Sequence, residues 1–151
     1  MNLSPNFTLR ELTRSQTAER HGISNKPSET HIQALRTTCT MILEPIRERF
    51  GVPFTPSSGY RTKTLCKLIG SNENSQHTKG QAVDFEVPGI DNLTVVKWID
   101  KNLDFDQLIL ECYRGGNTGW IHCSYRPDGN RRDIFTYNIH DGYTLFNPDL
   151  V

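Results

Sequence analysis

The sequence has 151 residues, with 17 Lys and Arg against 17 Asp and Glu, so its formal net charge at pH 7 is zero. A chain of this length can bury about two-thirds of its unfolded surface as one domain, so residues 1–151 are predicted to form a single domain. Without a basic excess, neither nucleic acid nor an anionic membrane is favoured as a partner. We expect a monomer.

The N-terminal segment, Met1 to Asn6, lacks the basic and apolar character of a signal peptide, and no segment is long and apolar enough to span a bilayer. We therefore expect synthesis in the cytoplasm, with access to an external substrate only after release. The four cysteines are irregularly spaced and are predicted to be reduced thiols. They are Cys39, Cys66, Cys112 and Cys123.

Helices are predicted mainly in the first half of the chain, over residues 8–13, 28–50, 63–69 and 93–103. The first begins with Thr8 and Glu11 at capping-box spacing. The longest has apolar residues at spacings of three and four, and it should kink at Pro45 and end at Gly51.

Strands are predicted mainly in the second half, near residues 54–58, 81–87, 107–113, 119–125, 132–138 and 143–146. Asp141-Gly142 predicts the hairpin turn between the last two strands. Helices grouped first and strands grouped later indicate an α+β domain, in which the N-terminal helices pack with an antiparallel sheet.

Two imidazoles and one carboxylate form the most informative pattern of the chain: His77, Asp84 and His122. These are the ligand types that zinc takes in catalytic sites, where three protein ligands leave a fourth position for water. Asp84 lies in a segment that is otherwise apolar, and a buried carboxylate is costly without a partner. We therefore predict that Asp84 binds a cation, together with the two histidines.

The strand patterns 107–113 and 119–125 flank a glycine-rich turn and predict a hairpin. If Tyr113 lies opposite Trp120, Glu111 lies directly opposite His122, about 5 Å away at Cβ. Glu111 is then either the general base of a hydrolytic site or a side chain that orients His122.

These residues belong to a wider set of motifs: Ser58-Gly59-Tyr60-Arg61-Thr62, Ile69-Gly70-Ser71, Ser75-Gln76-His77 with Gly80, Ala82, Asp84 and Phe85, and Trp120-Ile121-His122-Cys123-Ser124-Tyr125. The motifs resemble those of zinc peptidases of the D-alanyl-D-alanine carboxypeptidase family, in the hedgehog-like metallopeptidase superfamily. Segments 7–15 and 130–133 are similar to its short single-domain branch, common in bacteriophages and prophages. The resemblance covers nearly the whole chain.

The resemblance implies roles for individual residues. His77, Asp84 and His122 match the ligands of Zn²⁺, and Arg61 matches an arginine that faces the substrate carbonyl or carboxylate. Candidate substrate contacts in the same motifs are Tyr60, Ser75, Gln76 and Trp120, with packing in the core as the alternative for Tyr60 and Trp120.

The resemblance also shows a departure. Many relatives carry the catalytic acid three residues before the last histidine ligand, where this chain has Gly119. Glu111 is therefore the candidate general base.

The function implied is zinc-dependent hydrolysis of amide bonds in peptidoglycan stem peptides that contain D-amino acids, by carboxypeptidase or endopeptidase action. A phage lysis enzyme released late in infection fits this reading. Two alternatives stay open. The domain could bind zinc and cell-wall peptides without cleaving them, as Gly119 suggests, or it could be a structural component of a phage particle.

Overall fold

The sheet that positions the site has five strands, in the order β3-β5-β4-β6-β7. The computed structural model describes residues 1–151, and the strands are β1 Asn2–Ser4, β2 Phe7–Thr8, β3 Ala82–Phe85, β4 Gln107–Glu111, β5 Trp120–Ser124, β6 Asp133–Asn138 and β7 Gly142–Leu145. Strands β1 and β2 form a separate two-stranded sheet. Within the larger sheet, β4 and β6 run parallel and the other neighbours run antiparallel. The predicted α+β class is confirmed, with a sheet that is mixed at one pair.

Six α-helices accompany the sheets: α1 Leu9–Thr13, α2 Gln16–Arg20, α3 Glu29–Thr38, α4 Glu44–Phe50, α5 Lys63–Leu68 and α6 Asn92–Asn102. Two short 3-10 turns cover Gln76–Lys79 and Pro148–Leu150. The capping box of α1 is present, since Thr8 and Glu11 each accept from the other's backbone N–H. None of these helices is long and apolar enough to cross a membrane.

The helix predicted over 28–50 is interrupted by a π-helical turn, Cys39–Leu43, between α3 and α4. There the Glu44 N–H bonds the carbonyl of Cys39, five residues back. Pro45 follows directly, and its ring cannot fit against the carbonyl four residues earlier in a regular α-helix. The predicted irregularity at Pro45 is thus a widened turn. The helix ends at Gly51, which has φ +66°.

The strand predicted near 54–58 is wrong. Pro56 interrupts this segment, and a proline has no N–H for a strand ladder. The segment instead crosses the edge of β3 at an isolated bridge between Ser58 and Asp84, whose N–H donates to the Ser58 carbonyl at 2.8 Å. This crossing brings the loop that follows Ser58 against Asp84.

One face of the large sheet is covered and the other is open. The covered face carries Val83, Phe85, Leu108, Leu110, Ile121 and Cys123, all fully or almost fully buried. They belong to one core cluster with apolar residues of α3, α4, α6 and the π-helical turn. Side chains alternate along a strand, so the open face carries Asp84, Ile109, Glu111 and His122.

The register predicted for the β4–β5 hairpin is wrong by two residues. Glu111 pairs with Trp120, and Ile109 pairs with His122. The strand ends earlier than predicted because Cys112 adopts a left-handed conformation with φ +53°. A shift of two residues keeps the face, so Glu111 is a diagonal neighbour of His122.

All four cysteines are free, as predicted. Burial raises the pKa of the Cys39 thiol to about 12, so this group is an unreactive core residue.

Candidate metal centre

Three elements bring the predicted ligands together. His77 lies in the 3-10 turn, Asp84 on β3 and His122 on β5, where Asp84 and His122 are direct cross-strand partners. The ligand atoms of the three residues all lie within 4.8 Å of one another. The predicted set is therefore assembled in space from three separate parts of the chain.

 Asp84 and His122, which are 38 residues apart in the sequence, approach within hydrogen-bonding distance.

The spacing of these atoms suits a single metal ion. Asp84 Oδ1 lies 3.3 Å from His77 Nε2 and 2.9 Å from His122 Nδ1. Ligands at 2.0–2.2 Å around a tetrahedral zinc are about 3.3–3.6 Å apart, so small movements would complete the shell. Asp84 Oδ2 is held elsewhere, by Arg61 at 2.9 Å, which leaves Oδ1 for the metal.

The protonation of His77 also fits a ligand role. Its Nδ1 lies 2.7 Å from the carbonyl of Gly59, so Nδ1 carries the proton and donates it. In the neutral ring, Nε2 then has a free lone pair, and this atom faces Asp84. Burial lowers the pKa of His77, despite the opposing charge of Asp84, and so favours the neutral ring that a metal requires.

The turn that carries His77 depends on its two ends. Ser75 Oγ accepts from the His77 N–H at 3.2 Å and begins the turn. Gly80 ends it with φ +74°, and a Cβ there would approach the His31 carbonyl to 2.7 Å. A side chain at position 80 would therefore displace either the turn or α3.

Arg61 contacts a metal ligand in addition to facing the cleft. It donates from Nε to Ser58 Oγ at 2.7 Å and from a terminal nitrogen to Asp84 Oδ2 at 2.9 Å. Burial alone would raise the pKa of Asp84, but His77 and His122 lower it below its ordinary range. The carboxylate is thus ionised and fixed. The second terminal nitrogen of Arg61 has no protein partner and remains available to a substrate.

Glu111 faces the same cleft without a fixed partner of opposite charge. As a diagonal neighbour on the sheet, it lies about 7 Å from His122 at Cβ. Burial and the charge of Asp84 raise the pKa of Glu111, while His122, Trp120 and Arg61 partly offset the rise. A carboxylate with a raised pKa is a stronger proton acceptor than an ordinary one.

The structure accounts for the glycine at position 119. Gly119 has φ +67°, and a Cβ there would collide with the Glu111 carbonyl oxygen and the Cys112 backbone. This hairpin therefore cannot place an acidic side chain at position 119 without rearranging. Glu111 supplies the carboxylate on this side of the cleft.

The predicted site residues line two neighbouring cavities. Ser75, Gln76 and Trp120 line a cleft of about 830 Å³ together with the three ligands and Glu111. Tyr60 instead lines an adjacent cavity of about 450 Å³, which Arg61 joins to the cleft. The sequence did not identify several other cleft residues as candidates for the site, among them Gln107, Arg131, Tyr137 and Tyr143.

Arg131 is positioned by a buried carboxylate. Asp106 is fully buried and accepts from the backbone N–H, Nε and a terminal nitrogen of Arg131 at 2.7–3.0 Å. From the sequence, residues 130–133 were noted only as similar to the short single-domain branch, because the sequence does not show that Asp106 is buried beneath Arg131.

The fold and the site fit a metal-dependent hydrolase: a largely buried His-Asp-His set that could hold a metal ion, on one face of a sheet, with a carboxylate on the same face. The family model of Peptidase M15 matches residues 5–124, which is more than half of the chain. The protein therefore belongs to the M15 peptidases, a family of metallopeptidases whose substrates are related to peptidoglycan. No curated protein gave a significant match to the sequence.

Proposed function

We propose that this protein is a zinc-dependent peptidase that hydrolyses amide bonds in peptidoglycan stem peptides containing D-amino acids. One observation carries the proposal: His77, Asp84 and His122 converge beside Glu111 in an open cleft. Membership in the M15 family supports the wall-related substrate.

The ligand set favours zinc. Two imidazole nitrogens and one carboxylate oxygen match three-ligand catalytic zinc sites, whereas magnesium and calcium prefer oxygen ligands. When bound, zinc would polarise the scissile carbonyl and make a nearby water more acidic.

Glu111 would act as the general base. Its carboxylate accepts the proton of the attacking water and then passes it to the leaving amine nitrogen, as hydrolysis of an amide requires. The position of Glu111, on the same face of the sheet as His122 and diagonal to it, supports this role. The half-buried Trp120 opposite it would limit the access of bulk water.

Arg61 and Gln76 would orient the substrate. The free terminal nitrogen of Arg61 can donate to the oxyanion that develops on the carbonyl, or to a terminal carboxylate. Gln76 Oε1 is buried without a hydrogen-bond partner, and Gln76 lines the cleft, so a rotation of this amide toward the cleft would let Oε1 accept from a peptide N–H.

Digestion of purified peptidoglycan tests the proposal. The metal-free protein, with and without added zinc, would be incubated with the wall, and the fragments analysed by mass spectrometry. We expect zinc-dependent cleavage of a stem-peptide amide bond. Release of a free terminal amino acid would indicate a carboxypeptidase, and opening of a cross-link an endopeptidase.

A protein that co-sediments with the wall but changes none of its bonds would instead be a binding domain. Copurification with phage particles without turnover would indicate a structural component. We further propose that the enzyme is made in the cytoplasm and acts after release, as a phage lysis enzyme does. To test this role in lysis, the time of host lysis would be compared between phage that carry the gene and phage that lack it.

A further inference from the structure

The open face of the sheet continues beyond the metal centre as two rows of side chains. The first row runs Asp84, His122, Ile109, Phe135 and Leu145, as direct partners on successive strands. The second row runs Trp120, Glu111, Tyr137 and Tyr143. Metal ligands and the candidate base thus lie at one end of these rows. Aromatic and apolar side chains of β6 and β7 lie at the other.

This aromatic end, formed by Phe135, Tyr137, Tyr143 and Leu145, is continuous with the cleft. Tyr137 and Tyr143 line the same cleft as the three ligands. The Tyr143 ring lies 4.7 Å from that of Tyr137 and 6.2 Å from that of Phe135, measured between centroids. These rings contact one another at interplanar angles of 73° and 44°, so they form a cluster of rings and not a flat surface.

Solvent reaches the aromatic end. Tyr143 is 61% exposed and Leu145 is 78% exposed, and no other element packs over them. The helices of the fold cover the opposite face of the sheet. An exposed apolar patch that continues from a binding cleft marks a place where a ligand is desolvated.

The distance between the two ends suits one substrate. Neighbouring strands are about 4.8 Å apart, so β7 lies about 14 Å from β5. About four residues of extended peptide span that length, which is on the order of a peptidoglycan stem. A stem peptide cut at the metal centre would place its sugar near β7.

The chemistry of the aromatic end also suits a sugar. The faces of aromatic rings are electron-rich and attract the polarised C–H groups on the flat faces of pyranose rings, while the tyrosine hydroxyls can bond sugar hydroxyls. The stem itself consists mainly of small or charged amino acids, which gain less from such a cluster of rings.

We propose that the aromatic end of β6 and β7 binds the amino-sugar portion of the peptidoglycan substrate. The proposal rests on the proposed function, since it assigns a second part of the same substrate. It lies beyond residues 5–124, the part of the chain that matches the family model.

The test compares two probes: a soluble disaccharide joined to a stem peptide, and the same peptide without sugars. Their dissociation constants would be measured by calorimetry for the full chain. We expect the sugar to increase the affinity of the wild type, and Tyr143→Ala with Leu145→Ala to reduce that gain by about 3- to 10-fold. Tyr143→Phe keeps the ring and should retain most of the gain.

Thr144→Ala is the matched control, because Thr144 is exposed on β7 and points to the opposite face. It should leave both affinities unchanged. Binding is measured without turnover, so the sugar binding and the peptidase activity are judged separately. Hydrolysis of the sugar-free peptide by the zinc-loaded wild type reports on the proposed function alone.

Three results would overturn the inference. The wild type could bind both probes equally, or the double variant could weaken both equally. Sedimentation could also show a wild-type dimer that Tyr143→Ala and Leu145→Ala convert to a monomer, in which case the aromatic end is an interface between two copies of the chain.

Discussion

The two ends of the sheet face one cleft but are held in different ways. At the β3–β5 end, Asp84 is almost fully buried, and its oxygens lie against Arg61, His77 and His122. At the β6–β7 end, Tyr143 is mostly exposed, and strand pairing and ring contacts alone orient it.

The difference agrees with the ligands that we propose for the two ends. A metal shell needs ligand atoms placed within a few tenths of an ångström, and hydrogen bonds to Gly59 and Arg61 hold His77 and Asp84 in place. A sugar or peptide is bound by many weak contacts, and exposed side chains can adapt to it. Substitutions at the buried end should therefore abolish metal binding, whereas substitutions at the exposed end should weaken substrate binding by degrees.

The largest effect is expected from the ligands. His77→Ala and His122→Ala should each abolish stoichiometric zinc binding and, with it, hydrolysis, because two protein ligands hold the ion weakly. Metal analysis after dialysis checks this. His140→Ala, in the exposed β6–β7 turn, is the control and should bind one zinc per chain. One zinc at wild-type affinity in either ligand variant would disprove the assignment.

The second largest effect is expected from Glu111. Glu111→Gln keeps the size of the side chain but cannot accept a proton, so turnover should fall by roughly 10²–10⁴-fold. Zinc content should stay normal, because Glu111 is not a ligand. Glu48→Gln, exposed on α4, is the control. Turnover close to wild type would disprove Glu111 as the base, and loss of zinc would make Glu111 part of the metal site.

The third effect concerns the glycine beside the metal centre. Gly119→Asp restores the acid that many relatives carry, yet it should lower the free energy of unfolding by about 2–4 kcal/mol, through left-handed strain and the collision with the Glu111 backbone. Gly116→Asp, in the same turn with φ +56° and open space around it, isolates the strain. Urea unfolding measures both. If the two variants lost the same free energy of unfolding, the collision of the position 119 side chain with the Glu111 backbone would be relieved by a local movement.

The smallest effect is expected at Asp106, which is buried beneath the cleft residue Arg131. Burial would raise its pKa, but the hydrogen bonds from Arg131 lower the pKa below the ordinary value. The carboxylate therefore contributes stability above the unfolded pKa of about 3.9, and this contribution is lost as pH falls through the lower folded pKa.

Asp106→Asn should cost about 1–3 kcal/mol at neutral pH, since hydrogen bonds to a charged group are lost. The difference from the wild type should shrink below about pH 4. Urea unfolding across this pH range measures it. A difference that does not change with pH would mean that the ion pair with Arg131 contributes nothing.

The sequence predicted the buried end of the sheet better than the exposed end. Residue types and spacing identified His77, Asp84 and His122, because a carboxylate in an apolar strand needs a partner. The contact between Arg61 and Asp84 could not be predicted in the same way. It depends on the bridge at Ser58, in a segment that was predicted to be a strand.

The register of the β4–β5 hairpin is a second feature that could not be predicted from the sequence. It depends on where Cys112 leaves the extended conformation, and a non-glycine residue with positive φ has no clear signal in the sequence. The face of Glu111 was predicted, but its partner was not. Tyr137 and Tyr143 were missed because their place in the cleft follows from the parallel pairing of β6 with β4.

Anomalous scattering from a crystal grown with zinc tests the central claim most directly. We predict one strong peak at about 2.0–2.2 Å from His77 Nε2, Asp84 Oδ1 and His122 Nδ1, with Glu111 outside bonding distance. A peak at other residues, or none between these three atoms in protein that binds zinc in solution, would contradict the assigned metal centre.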